Sequence, residues 1–336
     1  MGVDVKNWNS DAFSRRDVLA MAATASAASL APPALRQAMA KAPLQNMLAP
    51  AWYRFKIGSF EATVVSDGPI VLGPPQSDLL KGVSKEEFAR VLADNFLRSD
   101  NVLLEQNVLV VNTGSELVLF DTGSGSAKMF GDKVGRLIPT LQGAGFDPKD
   151  FDAVILTHTH PDHCWGLLGA TGAPAFPNAR IYLTRADLDF WTDESKGSDD
   201  FMKAMIAGTR AQLLPLRERL TFIRDGQEIV SGIQAIAAPG HTVGHTVFMI
   251  SSSGQSLLNA GDLAHHQVLS TERPQLEFAF DTDGKQAVAS RMRIFDMLAA
   301  QRIPMLGYHF AWPGIGYLAR QGAAFRYFPA PMQTAP

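Results

Sequence analysis

A single cysteine, Cys164, among 336 residues excludes an internal disulfide, and with it the small cross-linked folds that depend on several. Charge is scarce and nearly balanced: charged residues make up 19% of the chain and the formal net charge is −3. No basic run and no aromatic-basic stripe occurs, which excludes a nucleic-acid partner held by phosphate contacts. Apolar runs stay short of the roughly 20 residues that a bilayer span needs, so no stable membrane insertion is expected. Nucleophile signatures are missing too. No serine stands in a G-x-S-x-G elbow and Cys164 has no pattern for a thiol nucleophile, so chemistry through a covalent enzyme intermediate is not expected.

Histidine is sparse as well, with eight in the chain, yet three of them fall in His158-Thr159-His160-Pro161-Asp162-His163. The run follows Phe151 to Thr157 (FDAVILT), a β-branched and apolar stretch of buried-strand type. The histidines therefore begin where a strand ends, and Pro161 fixes the backbone between the two halves of the motif. Imidazoles with a carboxylate and no thiolate suit zinc, with manganese, cobalt or iron as options, and the split of the motif about Pro161 suits two adjacent ions better than one.

Three further motifs close strands downstream: Pro239-Gly240-His241-Thr242, Ala260-Gly261-Asp262, and Gly307-Tyr308-His309 after an expected strand Ile303 to Leu306. Each follows a buried apolar run, which allows all of them to open on one sheet edge. Asp121, at the end of the strand Glu116 to Asp121, is a buried carboxylate that needs a donor or cation, and we expect it to orient a ligand histidine through the second ring nitrogen. His245 is expected to support the loop after His241, and His265 and His266 are set aside as non-ligands. Cys164 reads as a small apolar residue packed beside the site.

The N-terminal 40 residues read as a cleaved twin-arginine export signal: Ser14-Arg15-Arg16-Asp17-Val18-Leu19 precedes an alanine-rich apolar run and a small-residue site at Ala38-Met39-Ala40. The twin-arginine export machinery is then a partner, and the mature protein is expected to be periplasmic or secreted. A linker over residues 41–50 leads to one domain over 51–336, large enough for its own core. The domain opens with a β-hairpin about Gly58-Ser59. A helical insert follows from Ser84, where Ser84-Lys85-Glu86-Glu87 forms a capping box. A second helix is expected over Lys133 to Ala144.

The ordered set His158-x-His160-x-Asp162-His163, His241, Asp262, His309 resembles the five-motif pattern of the metallo-β-lactamase superfamily over about residues 53–328. That resemblance implies an α/β fold: an αβ/βα sandwich of two mixed β-sheets flanked by helices, with a dinuclear site at one edge. It implies one divalent metal ion on His158, His160 and His241, a second on Asp162, His163 and His309, and Asp262 bridging both with a water or hydroxide. Asp162 and Asp262 would then serve the reaction, orienting the hydroxide, with Asp262 also passing a proton to the leaving group.

Within the superfamily the chain is most similar to exported organophosphate hydrolases of the methyl parathion hydrolase type, and next to N-acyl homoserine lactonases. The stretches YRFKIGSFEATVVSDG, LVLFDTGSG, FPNARIY, APGHTVGHT and WPGIGYLARQGAAFRYFP carry this likeness. It implies a substrate pocket with Phe130, Trp191 and Phe201 among its walls, and a small phosphotriester or lactone as substrate. Glyoxalase II and the persulfide dioxygenases share the His-x-His-x-Asp-His opening, so thioester hydrolysis and iron-dependent sulfur oxidation remain alternatives, as does a metal-binding protein without turnover. Dimers are common among such relatives, which leaves a homodimer open.

Overall fold

The computed structural model describes residues 50–76 and 79–333. The expected export signal, and all of the expected linker except Pro50, lie outside the described residues. Two seven-stranded sheets carry the fold. The first orders β1 (Trp52–Ile57), β2 (Phe60–Ser66), β5 (Asn107–Asn112), β6 (Leu117–Phe120), β7 (Ala153–Ile155), β8 (Arg180–Thr184) and β9 (Leu220–Ile223). The second runs in sequence order through β10 (Glu228–Val230), β11 (Ile233–Ala237), β12 (Thr246–Ser252), β13 (Gln255–Asn259), β14 (Met305–Leu306), β15 (Ile315–Gln321) and β16 (Ala324–Pro329). Both are mixed: β6 to β9 pair in parallel beside an antiparallel β1-β2-β5-β6, and β13 pairs in parallel with β14 in an otherwise antiparallel sheet.

Alternation along the strands sorts apolar residues into layers. On β5, Leu109 and Val111 enter the core between the sheets, while Val108 and Val110 face outward onto helices. On β13, Leu257 joins the inter-sheet core and Leu258 packs on the outer face with Ile294, Phe295 and Leu298. Seven helices are described: α1 (Lys85–Asp94), α2 (Leu137–Gly143), α3 (Pro161–Cys164), α4 (Arg185–Thr192), α5 (Asp200–Leu213), α6 (Leu269–Glu272) and α7 (Gly284–Gln301). Leu137 and Leu141 of α2 and Leu213 of α5 cover the first sheet, and α7 covers the second. Helix, sheet, sheet, helix is the sandwich expected from the sequence.

The insert begins as its capping box requires, with Ser84 Oγ accepting from the Glu87 N–H at 3.2 Å. It is framed by a two-stranded sheet, β3 (Ile70–Gly73) with β4 (Val102–Leu104). Phe88, Val91 and Leu92 of α1 bury against Val102, Leu269 and Phe278, so the insert packs on the segment that follows Asp262.

Two elements differ from the sequence reading. The helix expected from Lys133 starts only at Leu137, because the preceding turn is spent on a carboxylate: Asp67 accepts from the backbone N–H groups of Ser124, Gly135 and Leu137 at 2.9, 3.1 and 2.7 Å, and Gly135 sits at φ 79°. The strand expected over Ile303 to Leu306 is confined to Met305–Leu306, since Pro304 has no N–H for a ladder and offers only its carbonyl, to Leu258.

Candidate metal centre

Every ligand-type side chain of the four motifs sits just past the end of a strand. His158 and His160 follow β7, Asp162 and His163 lie on the single turn of α3, and His241, Asp262 and His309 follow β11, β13 and β14. The first sheet thus presents one half of the cluster and the second sheet the other half. All seven side chains are buried. Their ligand atoms converge in two trios, His158–His160–His241 and Asp162–His163–His309, each with its atoms within 4.8 Å of one another.

Asp262 lies between them. Its Oδ1 is 3.2 Å from His163 Nε2, and its Oδ2 is 3.1 Å from His309 Nε2, 3.3 Å from His241 Nε2 and 4.0 Å from His158 Nε2.

The outward nitrogens are held by the protein, which turns Nε2 inward. His163 Nδ1 meets Asp121 Oδ2 at 2.9 Å, in the orienting position expected of Asp121. The Thr157 hydroxyl donates to the same carboxylate at 2.8 Å and accepts from His158 Nδ1 at 3.0 Å. His309 Nδ1 donates to the Glu105 carbonyl at 2.7 Å. His241 Nδ1 meets Asp281 Oδ1 at 3.0 Å. Asp121 takes the left-handed conformation, φ 64°, which an aspartate tolerates and which turns its carboxylate back across the strand end. Gly240 leaves no room for a side chain, since a Cβ would come within 2.0 Å of the Ala287 nitrogen on α7; the loop carrying His241 is pressed against that helix.

The donor set fits two divalent cations. His163 Nε2 and Asp262 Oδ1 are buried without a hydrogen-bond partner among the described residues, and the Nε2 atoms of His158 and His241 approach to 3.2 Å. Lone pairs converging in a dry site need a cation between them.

Charge distribution agrees. Burial pushes His158 and His160 well below the usual imidazole range, so they stand neutral as ligands must. Burial also opposes charge on His163, His241 and His309, but neighbouring carboxylates outweigh it: Asp262, Asp162 and Asp121 carry His163 well above normal, Asp262 and Asp281 carry His241 to about 9, and Asp262 and Asp162 carry His309 to about 10. Protons hold positions that a metal ion can take.

A model of the metallo-beta-lactamase superfamily matches residues 102–297, more than half of the chain. The chain belongs to the metallo-beta-lactamase superfamily. Among curated superfamily relatives, an N-acyl homoserine lactonase of Bacillus sp is 27% identical over 169 residues, half of this chain and 59% of that protein. The N-acyl homoserine lactonase AiiA of Bacillus thuringiensis subsp. kurstaki is 30% identical over 125 residues, 37% of this chain and 43% of its own length. The chain therefore spans less than two thirds of the length of these curated relatives. Solved structures cover more: the dizinc quorum-quenching lactonase AidC, in complex with a product N-hexanoyl-L-homoserine, superposes with TM-score 0.79 at 29% identity over 84% of this chain and 99% of its own. The hydrolase AbOPH, in the same superfamily, gives TM-score 0.79 at 25% identity, covering 85% and 100%.

A cavity of about 600 Å³ opens above the centre, with His160, Asp162, His241, Asp262, His265 and His309 at its floor. Its walls are mainly apolar. Phe130, Trp191 and Phe201 all line it, in different ways: Trp191 is buried and meets His160 edge-on at 4.7 Å, whereas Phe201 is half exposed. The two-stranded sheet that frames the insert contributes as well, through Ile70, Leu72 and Leu104.

His265, set aside as a non-ligand, edges into the cavity beside Asp262. Its ring stacks on Phe278 at 4.0 Å and its Nε2 comes within 3.4 Å of Asp262 Oδ2, forming a further candidate trio with His241 and Asp262. The insert brings it there, because Phe278 is fixed by the cluster around Phe88. His266 stays out of the centre, accepting at Nδ1 from the N–H groups of Val268 and Leu269. His245 braces the loop of Asp262: its Nδ1 donates to the Ala238 carbonyl at 3.0 Å and its Nε2 accepts from the Asp262 N–H at 3.0 Å. Cys164 is buried, donates to the Thr159 carbonyl, and has its thiol pushed well above its usual range by burial, so it offers no thiolate. Asp281 and Asp187 escaped the sequence reading, since neither lies in a ligand motif.

Proposed function

We propose that the chain is a dinuclear metal-dependent hydrolase that opens lactone rings, with N-acyl homoserine lactones or close ester analogues as substrates. The observation that carries this reading is two candidate ligand trios, with Asp262 between them, on the floor of an apolar cavity of about 600 Å³. A structural zinc site needs only four ligands and has no use for a cavity above it. The likeness to lactonases over nearly the whole of a solved relative supports the substrate class.

His158, His160 and His241 would hold one divalent ion, and Asp162, His163 and His309 the other, with Asp262 shared; zinc suits this set. Two such ions would polarise the scissile carbonyl and bring the pKa of a shared water towards about 7, giving a nucleophile at neutral pH. The chain's own part is to orient and exclude. Asp262 lies where it can orient the attacking water and return a proton to the leaving alkoxide. Asp121, Asp281 and the Glu105 carbonyl fix the imidazoles, while Phe130, Trp191 and the sheet that frames the insert exclude bulk water and receive an acyl chain.

A second reading is phosphotriester hydrolysis, favoured by the aromatic walls at Phe130, Trp191 and Phe201, which suit an aryl leaving group. The Arg15-Arg16 motif supports export of the folded protein to the periplasm or beyond.

The deciding experiment restores zinc, manganese or cobalt to chelated protein and compares rates on an acyl homoserine lactone, methyl parathion and p-nitrophenyl acetate. Metal-dependent turnover fastest on the lactone is expected. Faster turnover of methyl parathion would transfer the proposal to phosphotriesters, and two bound ions without turnover of any of the three would overturn the hydrolytic reading for these classes.

A further inference from the structure

One buried carboxylate outside the ligand set touches both loops that carry the first trio. Asp187 lies in the first turn of α4, whose N-cap is Thr184. Its Oδ2 accepts from the Thr159 N–H at 3.0 Å and from the Thr242 hydroxyl at 2.9 Å, and its Oδ1 accepts from the Gly244 N–H at 2.6 Å. Thr159 separates His158 from His160, and Thr242 follows His241. Two oxygens thus join the loop after β7 in one sheet to the loop after β11 in the other.

Thr184 adds a further tie, its hydroxyl donating to the Gly244 carbonyl at 3.1 Å. Contact there is so close that a Cβ on Gly244 would lie 2.0 Å from Thr184 Oγ1 and 2.9 Å from Asp187 Oδ1. The same helix carries Trp191, packed against His160.

A carboxylate is a costly way to join two loops. Asp187 is fully buried, and no lysine or arginine among the described residues forms an ion pair with it. Burial raises its pKa to about 6 in spite of the donors from Thr242, Gly244 and Thr159. Three donors converging on one rigid, planar acceptor fix distance and direction together, which apolar packing does not do. The second trio has separate supports: its imidazoles rest on Asp121 and the Glu105 carbonyl, neither of which touches Asp187.

We propose that Asp187 is a positioning residue that sets the separation of His241 from the His158–His160 pair, and so governs the affinity of one metal subsite and not the other. This rests on the reading of those three histidines as ligands.

The test is zinc titration of the metal-free full chain by calorimetry, for the wild type, Asp187→Asn and Thr242→Val. Anomalous scattering at the zinc edge would locate any weakened ion. The wild type should bind two ions. In Asp187→Asn one ion, on the His158–His160–His241 side, should bind about 10–100-fold more weakly while the other stays within about threefold. Thr242→Val, which loses a single hydrogen bond, should weaken the same ion in the same direction by a smaller factor. A merely structural role would lower the melting temperature of the metal-free protein and shift both ions together, or neither; either pattern overturns the proposal. Should Asp187→Asn fail to fold, Thr242→Val decides by the same criterion. A wild type that binds no zinc would overturn the ligand reading itself, and this inference with it.

Discussion

Asp281 Oδ1 lies 3.0 Å from Nδ1 of His241, repeating on the second sheet the relationship that Asp121 Oδ2 has with Nδ1 of His163 at 2.9 Å on the first. The two carboxylates share no element, yet each fixes the tautomer of one ligand in each trio. Asp281 is itself held by the Phe278 N–H at 3.1 Å and by the guanidinium of Arg291 at 3.7 Å, whose other nitrogens donate to the carbonyls of Leu263, Pro274 and Leu276. The bracing of His241 therefore reaches back to α7.

Replacing Asp281 by Asn keeps the shape and removes the charge. Zinc affinity is expected to fall about 10–100-fold. Competition with a chromophoric chelator measures it, and an unchanged affinity would remove Asp281 from the working parts of the centre.

Asp262→Asn strikes the carboxylate that faces five imidazole nitrogens, those of His158, His163, His241, His265 and His309. Lactone turnover should drop by a factor of about 10²–10⁴, with the fold retained by circular dichroism. Activity within a few-fold of wild type would exclude Asp262 from both the shared-ligand and the proton-transfer role.

Metal uptake should release protons at pH 7. Carboxylate neighbours carry His241 to about 9 and His309 to about 10, and raise His163 in the same direction, so the metal-free protein carries protons on His241 and His309 which zinc must displace. Calorimetry in buffers of differing ionisation enthalpy counts them. Affinity should rise with pH between 7 and 9, and a pH-independent affinity would contradict the assignment of these two as ligands.

Phe201 and Trp191 separate rim from wall. Phe201 is half exposed, so Phe201→Ala should raise KM for long acyl chains with kcat little changed and stability within about 0.5 kcal/mol. Trp191→Ala removes a buried ring beside His160 and should cost about 3–5 kcal/mol of stability. Denaturant unfolding and steady-state kinetics on both variants distinguish the two effects.

Asp67 gives a pH dependence remote from the ligands. Burial, partly offset by the N–H groups of Ser124, Gly135 and Leu137, raises its pKa from 3.8 to about 6. The folded chain then holds this proton more tightly than the unfolded chain, so the contribution is full below about pH 4 and is lost as pH rises through 6. The stability of the metal-free wild type relative to Asp67→Asn should decline across that window by about 3 kcal/mol at most. Urea unfolding at pH 4, 5, 6 and 7 checks the sign, and a difference that grows with pH would refute it.

The side chains of the candidate centre were legible because their chemistry is local. His-x-His-x-Asp-His packs four of them into one turn of chain, and each remaining one follows an apolar run that ends a strand. The sheets were legible for a similar reason, since strands such as β5 announce burial on both faces by being apolar throughout. What stayed hidden depends on partners far apart in sequence. Asp281 gains its role only because the loop from Phe278 folds against His241, and Asp187 only because β8 ends beside two other loops. His265 was set aside by counting ligands, whereas its place is decided by stacking on Phe278. The first turn expected of α2 was lost to Asp67, whose demand for backbone donors outbids helix propensity.

The distribution of the cluster over both sheets has a topological consequence. His158 and His160 leave one sheet, and His241, Asp262 and His309 leave the other, so an ion coordinated by both groups closes large loops of chain on itself. Such closure restricts the unfolded ensemble much as a covalent cross-link does, by an amount that grows slowly with loop length. A protein with one cysteine cannot tie its halves together through sulfur. With an ion in the candidate centre, imidazole and carboxylate would supply the tie instead, in a form that forms and releases with the ion.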